Sequence, residues 1–222
     1  MRQDTLAGLE LSLLIGQCKW EDECWDGEYQ VVYCDPPWKF RLWSGKEEQT
    51  RSAAKHYATL SIDELKQLNV QNIAAEDSVL FMWVTPPILQ EAFAIIDAWG
   101  FEYKTKAFAW VKTTKRVGKW HWGMGYYTRA NTEDCLLATR GKGLSRASKG
   151  VHQVIYDDTL IAPVGEHSAK PPEARDRIVE LFGDVPRIEL FARKVVLGWH
   201  GHGLEYPGKG IEIGFSDELE MG

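Results

Sequence analysis

The chain has little of what would make it a metal protein, an exported protein or a membrane protein. Only four cysteines occur in 222 residues (Cys18, Cys24, Cys34 and Cys135), and no two form a C-x-x-C pair. That spacing fits no common zinc finger, and free thiols in a reducing compartment are the default for such a set. His200 and His202 lack a third ligand at useful spacing, so no metal is expected. No apolar run approaches the roughly 20 residues that span a bilayer. The stretch LAGLELSLLIG carries Glu10 and no basic leader. It reads as a packed or partner-facing segment rather than a signal peptide, so a cytoplasmic, intracellular location is expected.

Repeats, low-complexity linkers and abrupt changes of composition are also missing. One domain is therefore expected over residues 1–222, with a core near 29–205 and a peripheral N-terminal segment and acidic tail. An excess of positive charge is absent too. The net charge is −6, which argues against a protein that simply coats nucleic acid. The charge is uneven, however: residues 104–120 and 139–150 are basic, whereas 21–28 and 216–220 are acidic. A local basic stripe suits a phosphate backbone, and a solvated face is the plainer reading of the same pattern. Acidic net charge and an apolar N-terminal stretch leave room for a second copy or a partner subunit.

Tryptophan is abundant, with ten residues, several beside polar loops (Trp38, Trp43, Trp120, Trp122 and Trp199). Indoles placed there suit stacking on flat ligands. Apolar patterning predicts strands at Tyr29 to Cys34, Ser78 to Val84, Phe101 to Val111, Asp134 to Thr139, Gln153 to Tyr156 and Arg187 to Ala192. Helices are predicted from Ser61, where Ser61 and Glu64 have capping-box spacing, from Pro86-Pro87, and from Pro172. Residues 39–58 and 112–132 lack a period and read as long loops, which are usually functional or disordered in a compact domain. Strands alternating with helices give an α/β class with a mostly parallel central sheet and helices on both faces.

The sharpest feature is QVVYCDPPWKF, where a buried-type strand runs into Asp35-Pro36-Pro37-Trp38. Two prolines cannot extend a sheet, and each fixes its own φ, so the loop is rigid. Strand ends of this kind are where open α/β sheets bind ligands. Asp35 and the Pro36 carbonyl are two acceptors side by side, suited to a planar amine with two N–H donors. An exocyclic amine on a nucleobase is such a group. Its lone pair is delocalised into the ring, and holding both hydrogens favours freeing it for attack. Acceptors already in place need no reorganisation as charge develops, and Trp38 offers a stacking face. The plainer alternative is that the prolines end a strand and Asp35 caps a turn.

Several segments together resemble the MT-A70 type of N6-adenine methyltransferase, over roughly Tyr29 to Glu205. VVYCDPPW is similar to the catalytic motif of that family, and KHYATLSIDEL to its Y-x-T-M-S segment. SVLFMWVTPPILQEAFAIIDAWGFEYKTKAFAWVK is similar to its central strand–helix–strand. GMGYYTRANTEDCLLATRGK, EHSAKPPEARDRIVELF and RIELFARK follow in the family's order. The resemblance implies a Rossmann-like methyltransferase fold with the permuted, beta-class motif order. It further implies methyl transfer from S-adenosylmethionine to adenine N6 in nucleic acid, with DNA preferred because the layout is that of bacterial and phage members. RNA adenosine methylation, or an inactive paralogue that binds nucleic acid or a partner, are the alternatives.

By the same resemblance, Asp35, Pro36, Pro37 and Trp38 form the catalytic unit. Asp35, Lys170, Phe191, Arg193 and Glu205 contact the cofactor, with Lys170 near its carboxylate or the reacting adenine. Tyr57, Lys112, Arg129 and Glu133 face the substrate. Lys112, Lys115, Arg116 and Lys119 are expected at phosphates. An i,i+4 surface pair on a helix is the plainer reading of Arg129 and Glu133. HGHGLEY departs from the family's G-N-E or G-N-Q segment, with Leu204 in place of the asparagine. Glu205 remains and can accept from both ribose hydroxyls, and residues 200–203 read as a polar loop over the cofactor. Methylation of protein amides, which uses a related N-P-P-Y loop, is disfavoured by Asp35 and Trp38. Intact Asp35 disfavours the inactive paralogue.

Overall fold

A computed structural model describes residues 29–39, 59–113, 120, 123, 125–156, 169–203 and 205–207. The N-terminal segment, the acidic tail, most of the 39–58 loop, Cys18, Cys24, Tyr57, Lys115, Arg116, Lys119, Trp122 and Leu204 lie outside the described residues.

Alternation in two strands organises the molecule. In β1 (Tyr29–Cys34) and β2 (Ala74–Val84), Val32, Cys34, Leu80, Met82 and Val84 enter one core, while Val31, Tyr33, Val79, Phe81 and Trp83 enter the other. Both faces of the sheet are therefore buried, as near-continuous apolar strands require. The first core is closed by α1 (Ile62–Gln67) and α2 (Leu89–Ala98), the second by α3 (Glu173–Phe182).

Local chemistry sets the helix ends. Ser61 and Glu64 make the expected capping box, with Glu64 N donating to Ser61 Oγ at 3.2 Å and Ser61 N donating to Glu64 Oε2 at 2.6 Å. Pro86-Pro87 do not open an α-helix directly; they form one 3-10 turn, Pro86–Ile88, which leads into α2. Gly100, with φ +77°, ends that helix in a conformation other residues adopt only with strain.

The remaining strands are β3 (Glu102–Val111), β4 (Thr132–Arg140), β5 (Val154–Tyr156), β6 (Arg187–Leu190) and β7 (His200–His202). The seven form one sheet in the order β5-β3-β4-β2-β1-β6-β7. It is a mostly parallel mixed sheet with helices on both faces. The exception is β4, which runs antiparallel to both β2 and β3. Two strands differ most from the sequence-based expectation. β2 starts four residues earlier than Ser78, because the polar stretch around Glu76 extends beside β1 with a bulge between Tyr29 and Val31. Residues 200–202 are not a loop but strand β7, paired with β6. A three-residue edge strand of His-Gly-His carries no apolar period by which to predict it.

From β1 the chain moves through β2 toward one edge, and β6 later returns to β1's other side. β1 and β6 are parallel, with Cys34 opposite Leu190. This reversal opens a crevice at the carboxyl ends of the two strands, the usual ligand position of open α/β sheets. Asp35 follows one strand and Phe191 the other.

Candidate active site

Asp35 leaves β1 into a loop built without two backbone donors. Trp38 N–H donates to Pro36 O at 2.8 Å, closing a tight turn over Pro37, and Leu60 N–H donates to Pro37 O at 3.0 Å. The Pro36 carbonyl keeps a second lone pair after that bond. The Trp38 side chain is only 5% exposed and packs in the first core with Leu60. Its ring anchors the loop, and in this structure it offers little free stacking face.

Four charged side chains alternate in sign across the strand ends. Lys170, just before Pro171-Pro172 and α3, places Nζ against Asp35 Oδ2 and 3.4 Å from Glu133 Oε2. Glu133 Oε1 in turn meets Lys112 Nζ. Lys170 is the most buried, with a side chain 7% exposed that lies 5.8 Å from the Trp83 ring centroid. Lys112 sits 4.9 Å from the centroid of Trp110. Asp35 and Lys112 follow β1 and β3, and Glu133 is near the start of antiparallel β4, so all three project from one end of the sheet.

Burial works against each charge, and the neighbours decide the outcome. Burial pushes the Asp35 carboxyl above its ordinary range, and Lys170 only partly offsets it. Burial also opposes ionisation of Glu133, yet Lys170 and Lys112 together outweigh it and hold Glu133 below its usual range. Lys170 is pulled down by burial but raised overall by Asp35 and Glu133. The cluster thus carries an ammonium held between two carboxylates, Asp35 pushed above its ordinary range and Glu133 held below its own.

Across the crevice, Phe191 follows β6 with φ 60°, the one non-glycine residue of positive φ among the described residues. Such strain is concentrated at functional sites. Arg193 Nε and Glu205 Oε2 are 3.5 Å apart, both side chains partly exposed. The Arg193 charge also reaches Asp35 and acts to lower its carboxyl. Close backbone contact fixes this side. A Cβ on Gly203 would lie 2.5 Å from Ala192 O, and Ala192 N–H donates to His202 O at 2.9 Å.

The structure therefore brings Asp35, Pro36, Lys170, Glu133 and Lys112 together, and sets Phe191, Arg193 and Glu205 on the adjoining wall. Glu133 lies in a strand, so the helical surface-pair reading of Arg129 and Glu133 does not apply; Arg129 is exposed in the turn before β4. Lys112 is turned toward Glu133 and would have to leave that ion pair to meet a phosphate. Sequence reasoning missed Trp83 beneath Lys170 and the Trp83 Nε1–H bond to Tyr33 Oη at 2.7 Å. Within SVLFMWV it looked like any buried indole. Among the described residues no group of His, Cys, Asp and Glu could hold a metal ion, and no helix is long and apolar enough to cross a membrane.

The model of the MT-A70 family matches residues 29–205. The type II methyltransferase M.MunI of a Mycoplasma species is 36% identical over 211 residues, 87% of this chain and 84% of that protein. The catalytic subunit METTL3 of human N(6)-adenosine-methyltransferase is 29% identical over 172 residues, 75% of this chain and 26% of that protein. An Arabidopsis thaliana N(6)-adenosine-methyltransferase MT-A70-like protein is 27% identical over 172 residues, 75% of this chain and 22% of the relative.

Proposed function

From the premise that this chain belongs to the MT-A70 family, we infer that it is an S-adenosylmethionine-dependent methyltransferase acting on the N6 amino group of adenine, with DNA as its polymer. The observation that carries this reading is Asp35 on its double-proline loop at the β1–β6 crevice, with Lys170 on one carboxylate oxygen. Among the described residues no donor is seen on Oδ1, which leaves it for a substrate N–H. DNA is preferred because the bacterial type II methyltransferase is 36% identical over most of both chains, whereas the human adenosine methyltransferase subunit is 29% identical over about a quarter of its own length.

The residues fit the cofactor. Glu205 supplies two oxygens for ribose hydroxyls, and Arg193 holds that carboxylate at the crevice wall. Phe191 presents its ring where β6 ends. The cofactor supplies an electrophilic methyl group when bound. Asp35 Oδ1 and the free lone pair of Pro36 O accept the two amino hydrogens, drawing the N6 lone pair out of the ring. Lys170 fixes the carboxylate so that little reorganisation is needed. Glu133 holds Lys170 from the other side. If the methyl group's bond to the cofactor's sulfur broke as its bond to N6 formed, leaving a neutral thioether, N6 would become positive and the Asp35 carboxylate, with its pKa raised, would be placed to take the proton it sheds. Adenine in a duplex has N6 already paired, so the base must flip or the strand must be open, at about a few kcal/mol.

The test is transfer of labelled methyl groups to DNA and RNA oligonucleotides, with Asp35→Ala as control. Label in adenine N6 that disappears in Asp35→Ala supports the reading. Equal transfer by both proteins defeats the mechanism, and label in protein alone points to amide methylation. Preference for RNA would reverse the assignment of polymer.

A further inference from the structure

The connection between β3 and β4 is tied at two places among the described residues. Antiparallel bridges pair Thr113 with Trp120 and Gly123 with Ala130. The second ends in an aromatic tip: Tyr127 is 92% exposed and Tyr126 63%, with ring centroids 4.5 Å apart in a T-shape. Trp120, at the mouth of the first, is 46% exposed. Two adjacent phenol rings so exposed to water mark an interaction surface.

The tip is shaped by its backbone. A Cβ on Gly125 would fall 1.9 Å from Thr128 O, and one on Gly123 2.5 Å from Ala130 O. Both positions need glycine, so the backbone at Gly123 and Gly125 passes close to Ala130 and Thr128, and the two tyrosines stand outward beyond it. The charge along this stretch of sequence is one-sided. Residues 113–131 contain Lys115, Arg116, Lys119 and Arg129 and no Asp or Glu, in a chain of net charge −6. Cations interleaved with exposed aromatics fit a polyanion with flat faces, because phosphates meet the charges and bases stack on the rings. The turn runs directly into β4 and Glu133. Glu133 is the sixth residue after Tyr127, a reach of at most about 20 Å, or a few nucleotides.

We propose that Tyr126 and Tyr127 are a stacking contact for bases flanking the target adenine in an opened or single-stranded stretch of nucleic acid. The proposal rests on the reading of the site as a nucleic-acid methyltransferase. The rings bind substrate outside the crevice and take no part in methyl transfer itself.

Tyr126→Ala/Tyr127→Ala and Tyr127→Trp test it in the full chain. Binding is measured against single-stranded oligonucleotides carrying 2-aminopurine beside the adenine, at several salt concentrations. The double variant should bind about tenfold more weakly with an unchanged salt slope, since every phosphate keeps its cation. It should also lose quenching of the flanking 2-aminopurine, while Tyr127→Trp keeps both. Melting temperature and cofactor binding equal to wild type show that the fold is intact. Unchanged affinity and quenching in the double variant overturn the proposal while leaving the methyltransferase reading standing. A double variant that turns a dimer into a monomer with unaltered affinity per subunit also overturns it, making the tip a contact between copies. Wild type that binds and quenches but transfers no methyl group would fail the catalytic reading and keep the stacking contact; wild type that binds no oligonucleotide fails both.

Discussion

Lys170 Nζ lies against Asp35 Oδ2 across 135 residues of sequence, and the same ammonium is 3.4 Å from Glu133 Oε2. One buried cation thus joins the end of β1 to the start of β4. Asp35→Asn keeps the shape of the side chain but removes the charge that Lys170 orients. Loss of one preorganised electrostatic group costs on the order of 10²–10³ in kcat. We expect that loss in single-turnover methylation, with cofactor binding changed far less. Methylation within tenfold of wild type would show that Asp35 is not an acceptor for the reacting amine.

The three groups are electrostatically coupled. Glu133 contributes to raising Asp35, and it competes for Lys170. Glu133→Gln should therefore move the Asp35 titration to lower pH, read by carboxyl carbon NMR or by the acid limb of kcat/KM. Stability follows the same linkage. Glu133, held below its unfolded value, adds stability above roughly pH 4.3 that disappears as pH falls through its folded value. Asp35, raised by burial, works the opposite way: its cost is present at neutral pH and is relieved by acid. The destabilisation caused by Glu133→Gln should accordingly shrink on acidification. A penalty that grows as pH falls would contradict the assignment.

Lys112 separates two roles that the sequence leaves together. Its ammonium meets Glu133 and lies over Trp110, so Lys112→Met should leave the salt slope of oligonucleotide binding unchanged while raising the Glu133 titration. Replacing Lys115, Arg116 and Lys119 together should flatten the slope by about 0.7–0.9 for each phosphate left without its cation. Equal flattening by Lys112→Met would place that residue on the backbone after all.

Local rules with local partners were legible. The Ser61–Glu64 capping box, the Gly100 stop and the apolar runs of β1 and β2 could be read directly, because each depends on neighbours in sequence. The antiparallel sense of β4 could not, since a buried strand reads the same in either direction. β7 was hidden because its pairing with β6 rests on backbone and glycine rather than on side-chain period. Within the site, Asp35 and Lys170 were visible through motif resemblance. The salt-bridge partner of Lys112, the Trp83 ring under Lys170 and the burial of Trp38 are products of tertiary packing, and no spacing encodes them.

The crevice wall at Gly203 offers a test that does not touch a charged group. A methyl group there would meet Ala192 O at 2.5 Å, and Ala192 N and Phe191 C at 2.8 Å, all backbone atoms with nowhere to rotate. The strand end after β6 would have to part from β7, at a cost of about 1–3 kcal/mol. For a chain of this size that lowers the melting temperature by roughly 2–12 °C. Because Phe191 and Arg193 lie on one side of the contact and Glu205 on the other, Gly203→Ala should weaken cofactor binding more than it weakens oligonucleotide binding. Gly150→Ala is the control, since its added methyl group would stand 3.7 Å from Ser148 Oγ, an ordinary contact. A Gly203→Ala protein with wild-type melting and cofactor affinity would show that the wall yields freely, and the close approach of β6 and β7 would then have no part in shaping the site.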